Sequence, residues 1–166
     1  MKKIVQALLF SVLLYTPFAH ADDDWGCTVL LCLMNPAGPT AVPACVPPIQ
    51  KLWRELAKGH DFPSCSGSSN SQAQNSWVGV SNCPPQYIRT QQVNDVPTDY
   101  CIFSGVVTTQ QNGQVIAKTW WNGNQSVTEF LGSYKAMATD HRFDDDYAAW
   151  KIEQDRIKAE QPKYDN

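Results

Sequence analysis

The sequence lacks three features that would each point to a particular class of function. It has no second apolar run of membrane length after the N-terminal one, no Cys-x-x-Cys pair and no cluster of basic residues. Phosphate binding needs clustered cations, whereas this chain has 13 Lys and Arg against 16 Asp and Glu, so we expect no nucleic-acid partner. Without a Cys-x-x-Cys pair, no neighbouring thiol can resolve a mixed disulfide, which argues against thiol-exchange catalysis.

The motifs of common catalytic and metal sites are missing as well. There is no Gly-x-Ser-x-Gly motif and no glycine-rich phosphate loop, and His60 and His141 are isolated from any nucleophile in sequence. Asp140-His141 followed by Asp144–Asp146 has metal-binding residue types, but a helix start with solvated charges explains this cluster better. The cysteines lack the close pairs of a zinc knuckle. We expect no metal and no cofactor.

Peptidoglycan cleavage is the enzyme activity that deserves the most weight in an exported envelope protein. It needs an acid carboxyl in an apolar site, often with a second carboxylate. Glu55 and Glu129 are the candidates. We expect Glu55 to be solvated on the polar face of a helix, and Glu129 to complete a capping box with Ser126. We therefore predict that the protein is not an enzyme.

The N-terminus predicts export. Lys2 and Lys3 precede an apolar run from Ile4 to Leu14, and Ala19-His20-Ala21 is an A-x-A cleavage site. The run is shorter than the ~20 residues that a membrane span needs. These features predict a signal peptide over residues 1–21, cleaved after Ala21, and its short form is typical of export to a Gram-negative periplasm.

After cleavage we expect a single disulfide-rich globular domain over residues 22–143 and a charged C-terminal helix and tail over residues 144–166. Removing Lys2 and Lys3 from the 13 basic residues leaves 11 against 16 acidic ones, a net charge of about −5. Three aspartates separate Gly26-Cys27 from the apolar run, so a lipid anchor is not expected. Nor is stable membrane insertion after signal cleavage.

The cysteine count predicts structural disulfides, because an even number of cysteines in an exported chain favours full pairing. Six cysteines allow fifteen pairings, and sequence alone does not select one. The cysteines are Cys27, Cys32, Cys45, Cys65, Cys83 and Cys101.

An amphipathic helix is predicted over residues 47–58. Pro47 and Pro48 suit a helix N-terminus, and Gly59 suits the position after its end. Apolar residues between them recur at helical spacing and form one stripe. These residues are Ile49, Leu52, Trp53 and Leu56.

The apolar run from Cys27 to Met34 fits either a helix or a buried strand. If it is a helix, it forms an antiparallel hairpin with the helix over 47–58. The hairpin then places Cys32 near Cys45 and Cys27 near Cys65, which leaves Cys83 to pair with Cys101. This geometry predicts the disulfides Cys27–Cys65, Cys32–Cys45 and Cys83–Cys101.

The rest of the chain suggests an α+β fold: a small disulfide-stapled helical hairpin, then a β-hairpin and C-terminal helices. Residues 66–76 have no large aliphatic or aromatic side chain before position 77 and predict a flexible surface loop. Residues 102–109 and 114–121 predict two strands joined at Asn112-Gly113. Pro84, Pro85 and Pro97 should break any long element between Cys83 and Cys101.

Two helices are predicted after the β-hairpin. Ser126 and Glu129 form a capping-box pattern that predicts a helix over about 127–138. Asp144–Asp146 then precede a second helix from Tyr147 to about Glu160, where the acidic start complements the helix dipole.

The tryptophans suggest where a partner could bind. Trp120 and Trp121 are adjacent and must face opposite sides of a strand, so we expect one to be exposed unless the domain covers both faces. Exposed tryptophan is common at interfaces. The possible contact surface comprises Trp120, Trp121 and Trp150.

Residues 25–65 resemble one known family. The segment is WGCTVLLCLMNPAGPTAVPACVPPIQKLWRELAKGHDFPSC, and its matching pieces are the Cys-x₄-Cys apolar run, NPAGP, CVPPI, LWREL and FPSC. These pieces look like those of the TrbM-like conjugal transfer proteins. The resemblance covers about 40 residues closely, the β-hairpin loosely and the C-terminal tail not at all.

The resemblance implies an exported protein associated with plasmid conjugation and type IV secretion, in or near the periplasm. Its partners would be proteins of the conjugative transfer apparatus in the cell envelope. No catalytic residue is implied, because the matched positions are cysteines, prolines, glycines and apolar residues. An exported effector or toxin-like protein acting on the envelope remains the alternative.

Overall fold

The computed structural model describes residues 21–123 and 125–161. Residues 1–20, which hold nearly all of the predicted signal peptide, and residues 162–166 of the predicted tail lie outside the described residues. In the part that is described, no helix has both the length and the apolar character needed to cross a bilayer.

The fold is α+β, as the sequence predicts, with a helical hairpin, antiparallel sheets and C-terminal helices. The helices are α1 (Ala21–Leu33), α2 (Val46–Ala57), α3 (Gly132–Met137) and α4 (Arg142–Glu160). The strands are β1 (Ser71–Trp77), β2 (Ile88–Val93), β3 (Val96–Cys101), β4 (Gly105–Gln111), β5 (Gln114–Asn122) and β6 (Gln125–Phe130). A four-stranded sheet has the order β1-β4-β5-β6, and a separate two-stranded sheet pairs β2 with β3.

The helical hairpin forms as predicted. The run from Cys27 is a helix and not a strand, and α2 buries the four stripe residues Ile49, Leu52, Trp53 and Leu56. The structure contains the disulfides Cys27–Cys65, Cys32–Cys45 and Cys83–Cys101, with Cα–Cα distances of 4.6, 5.6 and 5.8 Å. This is the pairing that the hairpin geometry predicts.

Gly26 is required by a close backbone approach. A Cβ atom at this position would lie 1.9 Å from the carbonyl oxygen of Ser64, so no side chain fits between α1 and the segment before Cys65. The same approach brings Cys27 within bonding distance of Cys65. The Gly-Cys pair is therefore a packing feature of the hairpin.

Trp121 joins the helical hairpin to the four-stranded sheet. Its fully buried ring stacks on Trp53 of α2, with ring centroids 5.5 Å apart and planes 6° from parallel. Its indole Nε1–H donates to Oδ1 of Asn75 on β1, at 2.8 Å. Gly105 lies directly opposite on β4, and a Cβ there would lie 2.7 Å from the ring. The sheet therefore needs a glycine beneath this tryptophan.

The expectation that one tryptophan of β5 is exposed is wrong. Trp120 is 6% exposed and Trp121 is 0% exposed. The helical hairpin covers the face of Trp121, and a second cluster covers the face of Trp120. That second cluster contains Cys83, Tyr87, Phe103, Val106, Trp120 and Val127, with Phe143 packed against it.

The predicted flexible loop over 66–76 is wrong for residues 71–76, because they belong to strand β1. Its seven residues pair without interruption with β4, from Ser71 opposite Gln111 to Trp77 opposite Gly105. Backbone hydrogen bonds hold this edge strand, so it needs few apolar side chains of its own. Ala73 packs against the core beside Asn75 with its bond to Trp121, and the exposed ring of Trp77 lies 5.9 Å from that of Trp121.

The predicted helix over 127–138 is also wrong in its first half. Residues 125–130 form strand β6, and only Gly132–Met137 are helical. Val127 and Thr128 are β-branched, which favours a strand, and both are buried on opposite faces of the sheet. Thr128 also hydrogen-bonds Thr119 of β5 at 3.2 Å. This packing outweighs the capping-box pattern of Ser126 and Glu129.

The β-arm, formed by β2, β3 and their turn over residues 88–101, has no clear signal in the sequence. Positive φ angles of 50° and 63° at Asn94 and Asp95 form the tight turn. Pro97 sits in β3 without breaking it, because a two-stranded ribbon leaves one side of each strand unpaired. Nearly all of the arm is exposed.

Gly105→Ala should lower the free energy of unfolding by about 1–3 kcal/mol, because the new methyl group must displace the stacked Trp121 ring. Urea unfolding with the disulfides intact measures this. Gly67→Ala is the matched control, since nothing lies within 4 Å of its added Cβ. Equal effects of the two substitutions would contradict the packing role of Gly105.

Candidate partner-binding cleft

Only one of the three tryptophans predicted to contact a partner is placed to do so. Trp120 and Trp121 are core residues, whereas Trp150 is half-buried on α4 and lines a cleft. The cleft has a volume of about 460 Å³ and lies between α4 and the base of the β-arm. Side chains at this α4–arm cleft include Gln86, Tyr87, Arg89, Arg142, Asp146, Ala149 and Trp150.

The start of α4 is fixed to the domain by aromatic packing. Tyr87 packs edge-on against Phe103, with ring centroids 4.9 Å apart, and Phe143 lies 6.0 Å from Tyr87. The Tyr87 hydroxyl donates to Oδ2 of Asp146 at 2.8 Å. Burial, and then this bond to a carboxylate, raise the pKa of Tyr87 well above its ordinary value. The phenol therefore stays protonated and remains a donor.

A second anchor of α4 is the pair formed by Asp140 and Arg142. The Arg142 guanidinium donates from Nε and Nη2 to the two carboxylate oxygens of Asp140, at 2.8 and 2.7 Å. Burial of the Asp140 carboxyl acts to raise its pKa, but the hydrogen bonds from Arg142 outweigh it and hold the pKa below its ordinary value. Asp140 is therefore ionised at neutral pH.

The turn of the helical hairpin supports the same anchor. The carbonyl oxygen of Pro36 accepts hydrogen bonds from the backbone N–H groups of Thr139 and Asp140, at 2.9 and 3.2 Å. Arg142 also donates to the carbonyl oxygen of Ser126 on β6, at 3.3 Å. The NPAGP turn thus connects the disulfide-linked hairpin to the beginning of α4.

The β-arm forms the opposite wall of the cleft. Arg89 donates from Nη1 to the carbonyl oxygens of Gln86 and Ile88, both at 2.8 Å. Because Arg89 pairs with Tyr100 and Val93 with Val96, these four side chains share one face of the ribbon. Tyr100, Val93 and Val96 are 39–59% exposed. The paired Gln91 and Thr98 lie between them on the same face, so a mixed polar and apolar face continues outward from the wall that Arg89 begins.

Most of α4 after Trp150 is exposed to solvent. Ile152 is 72% exposed, and Arg156 pairs with Glu153 and Glu160 along the helix surface. Such exposed pairs contribute little to stability. The second half of α4 therefore offers surface to solvent, as the notably polar sequence predicts.

The two carboxylates considered for hydrolysis do not form a pair. Glu55 is on α2, which packs on the Trp121 face of the sheet, whereas Glu129 shares the opposite face with Val127. Hydrogen bonds from Lys58 and His60 lower the pKa of Glu55. A general acid needs the opposite shift.

The acidic cluster near the start of α4 is used by the fold. Asp140 binds Arg142, Asp144 binds Lys135 at 2.8 Å, and Asp146 accepts from Tyr87. No group of three His, Cys, Asp or Glu residues that could hold a metal ion occurs within the described ranges 21–123 and 125–161.

No protein-family model, no curated protein and no solved structure matches this chain. Compartment is the one general property that the structure itself indicates. Three disulfides account for all six cysteines, and such bonds persist in oxidising environments outside the cytoplasm.

Sequence reasoning missed the polar residues of the cleft. Asp146 fits a helix start, and no periodic pattern links it to Tyr87, which lies 59 positions earlier. Gln86 and Tyr87 follow two prolines, where the sequence shows no regular element. Only Trp150 carried a usable signal, as a large aromatic residue on an otherwise polar helix.

Asp140→Asn should destabilise the protein at neutral pH, because it removes the carboxylate that pairs with Arg142. The loss in the free energy of unfolding should be only about 1 kcal/mol, because solvent screens the half-exposed Arg142. The folded pKa of Asp140 is depressed, so its contribution is complete above the ordinary aspartate pKa of about 3.9 and is lost as the pH falls through the folded pKa. Thermal unfolding from pH 7 to pH 2 should show the two proteins converging in acid.

Asp145→Asn is the matched control for this titration, since Asp145 is an exposed acid of the same helix. Its effect on the melting temperature should be small. A difference between Asp140→Asn and the unsubstituted protein that stays constant down to pH 2 would contradict the ion-pair role of Asp140.

Proposed function

We propose that this protein is a periplasmic accessory protein of plasmid conjugation. In this proposal it acts on the conjugative transfer apparatus of the cell envelope through protein contacts at the α4–arm cleft. The resemblance of residues 25–65 to TrbM-like proteins supports the conjugative role. The disulfides and the predicted signal peptide support the periplasm as the compartment.

The cleft is favoured as the contact site because residues 25–65 are used for contacts within the fold. Within residues 25–65, the cysteines form disulfides and Trp53 stacks on Trp121. The Pro36 carbonyl oxygen accepts hydrogen bonds from the backbone just before α4. The cleft instead presents half-buried Trp150 beside the exposed arm face that carries Val93, Val96 and Tyr100. Exposed aromatic residues around a concave site are typical of protein interfaces. The cleft is the observation that carries the proposal.

A binding role without catalysis is the better account of the carboxylates. Glu55 is held ionised by exposed partners, which suits a helix end and not proton donation. Asp146 and Tyr87 form a hydrogen bond that positions α4. We therefore assign the polar groups of the cleft to positioning and recognition.

Ala149→Arg should block the cleft without removing any contact inside the fold, because exposed Ala149 lines it. We expect mating efficiency to fall about tenfold or more when a plasmid carries this variant, because a contact weakened by about 1.4 kcal/mol binds about tenfold less tightly. Ala148→Arg is the matched control: the same change at the neighbouring exposed residue, which does not line the cleft.

Transfer at the unsubstituted level with Ala149→Arg would contradict a contact role for the cleft. Loss of transfer with both variants would assign the effect to the helix and not to the cleft. Growth inhibition on expression with the signal peptide, absent without it, would instead favour an exported effector acting on the envelope.

A further inference from the structure

Gln86 has an unusual position in the wall of the α4–arm cleft. Its side chain is 4% exposed, and neither Nε2 nor Oε1 has a hydrogen-bond partner among the described residues. The amide lies near the Tyr87 hydroxyl and acts to lower the pKa of that phenol, but no hydrogen bond of good geometry joins the two groups. Most buried side-chain polar groups are paired, so an unpaired donor and acceptor on one amide need an explanation.

The neighbours of Gln86 are committed to other partners. The Tyr87 hydroxyl donates its proton to Asp146, and Arg89 Nη1 donates to two backbone carbonyl oxygens. These bonds shape the wall but leave the Gln86 carboxamide unpaired and shielded from solvent, behind the surface of the cleft that Gln86 lines. Side-chain rotations are common at interfaces, and one that turns the amide toward the cleft would let a ligand pair with it without breaking any hydrogen bond of the domain.

A peptide main chain is the ligand chemistry that matches this amide. Each peptide unit offers one N–H donor and one C=O acceptor, which complement the two ends of a carboxamide. The peptide must be extended, because a helix satisfies these groups internally. The exposed ribbon face that begins at Arg89 gives an extended chain a surface to follow.

The volume and the charges of the cleft further limit which peptide segments it could bind. The cleft volume of about 460 Å³ lies within the range of pockets that bind small ligands and short peptide segments. Two cations, Arg89 and Arg142, and two anions, Asp146 and Glu153, line it, so the site has no net charge. Ala149 beside Trp150 leaves room for an apolar side chain.

We propose that the α4–arm cleft binds an extended, weakly charged peptide segment of a partner protein, with a main-chain peptide unit paired to Gln86 and an apolar side chain against Trp150. This proposal rests on the proposed function in so far as the partner is a protein of the transfer apparatus. Peptide binding itself does not depend on which apparatus supplies the segment.

Phage-displayed random linear peptides, selected on the purified chain with its disulfides formed, provide the probe. The synthetic peptide of the most enriched clone is then measured against Gln86→Met, which keeps the length of the side chain and removes the amide. We expect its affinity to fall about tenfold or more. The melting temperature should stay unchanged or rise, because an unpaired buried amide has been replaced by an apolar group.

Gln92→Met is the matched control. Gln92 lies on the arm face opposite to that of Arg89 and is exposed. It should bind the selected peptide like the unsubstituted chain. This combination of a stable fold with lost binding would not arise from a merely structural role of Gln86.

Three outcomes would overturn the proposal. They are the absence of any enriched clone, equal binding by Gln86→Met, and a fall in melting temperature with binding unchanged. Binding of the chain to a glycan array that is lost in Gln86→Met would assign the cleft to a sugar and would overturn it as well.

Mating tests with Gln86→Met separate this proposal from the proposed function. Lost peptide binding with unchanged plasmid transfer would leave the peptide site in place and contradict the conjugative role. Reduced transfer with no peptide bound would contradict the peptide site and leave the role in place.

Discussion

The stacking of Trp121 on Trp53 is the contact on which the rest of the structure depends. One buried indole brings together a helix of the disulfide-linked hairpin, the edge strand through Asn75, and the neighbouring strand through Gly105. Aromatic rings bury more surface than any other side chain, and a parallel stack adds orientation to that burial. In a small domain, one such contact can set the relative position of helices and sheet.

This core explains why residues 25–65 say little about partners. The segment supplies the hairpin, whose disulfides and buried stripe cover one face of the sheet. Its turn reaches the start of α4 through Pro36, and the bonds of Tyr87 and Arg142 complete that attachment. The helical hairpin and the four-stranded sheet thus support the exposed β-arm, the solvated helix α4 and the cleft between them.

Elements with local causes could be predicted from the sequence, whereas elements held by distant residues could not. The helix over 47–58 follows from its own stripe and prolines, and the disulfide pairing follows from the hairpin. Strand β1 has almost no apolar side chains, because its cause is the edge of β4. The capping-box pattern at Ser126 is locally valid but is overridden by burial in the sheet. Gln86 gives no sequence signal, because its burial without a hydrogen-bond partner among the described residues depends on the side chains packed around it.

Site-specific photo-crosslinking in mating cells tests most directly whether the cleft is the contact site. A photoreactive amino acid replaces either Glu153, which lines the cleft, or Ile152, its exposed neighbour on α4. We expect a covalent adduct with an envelope protein of the transfer apparatus from position 153 and little or none from position 152. Equal adducts from both positions, or none from position 153, would contradict a contact role for the cleft.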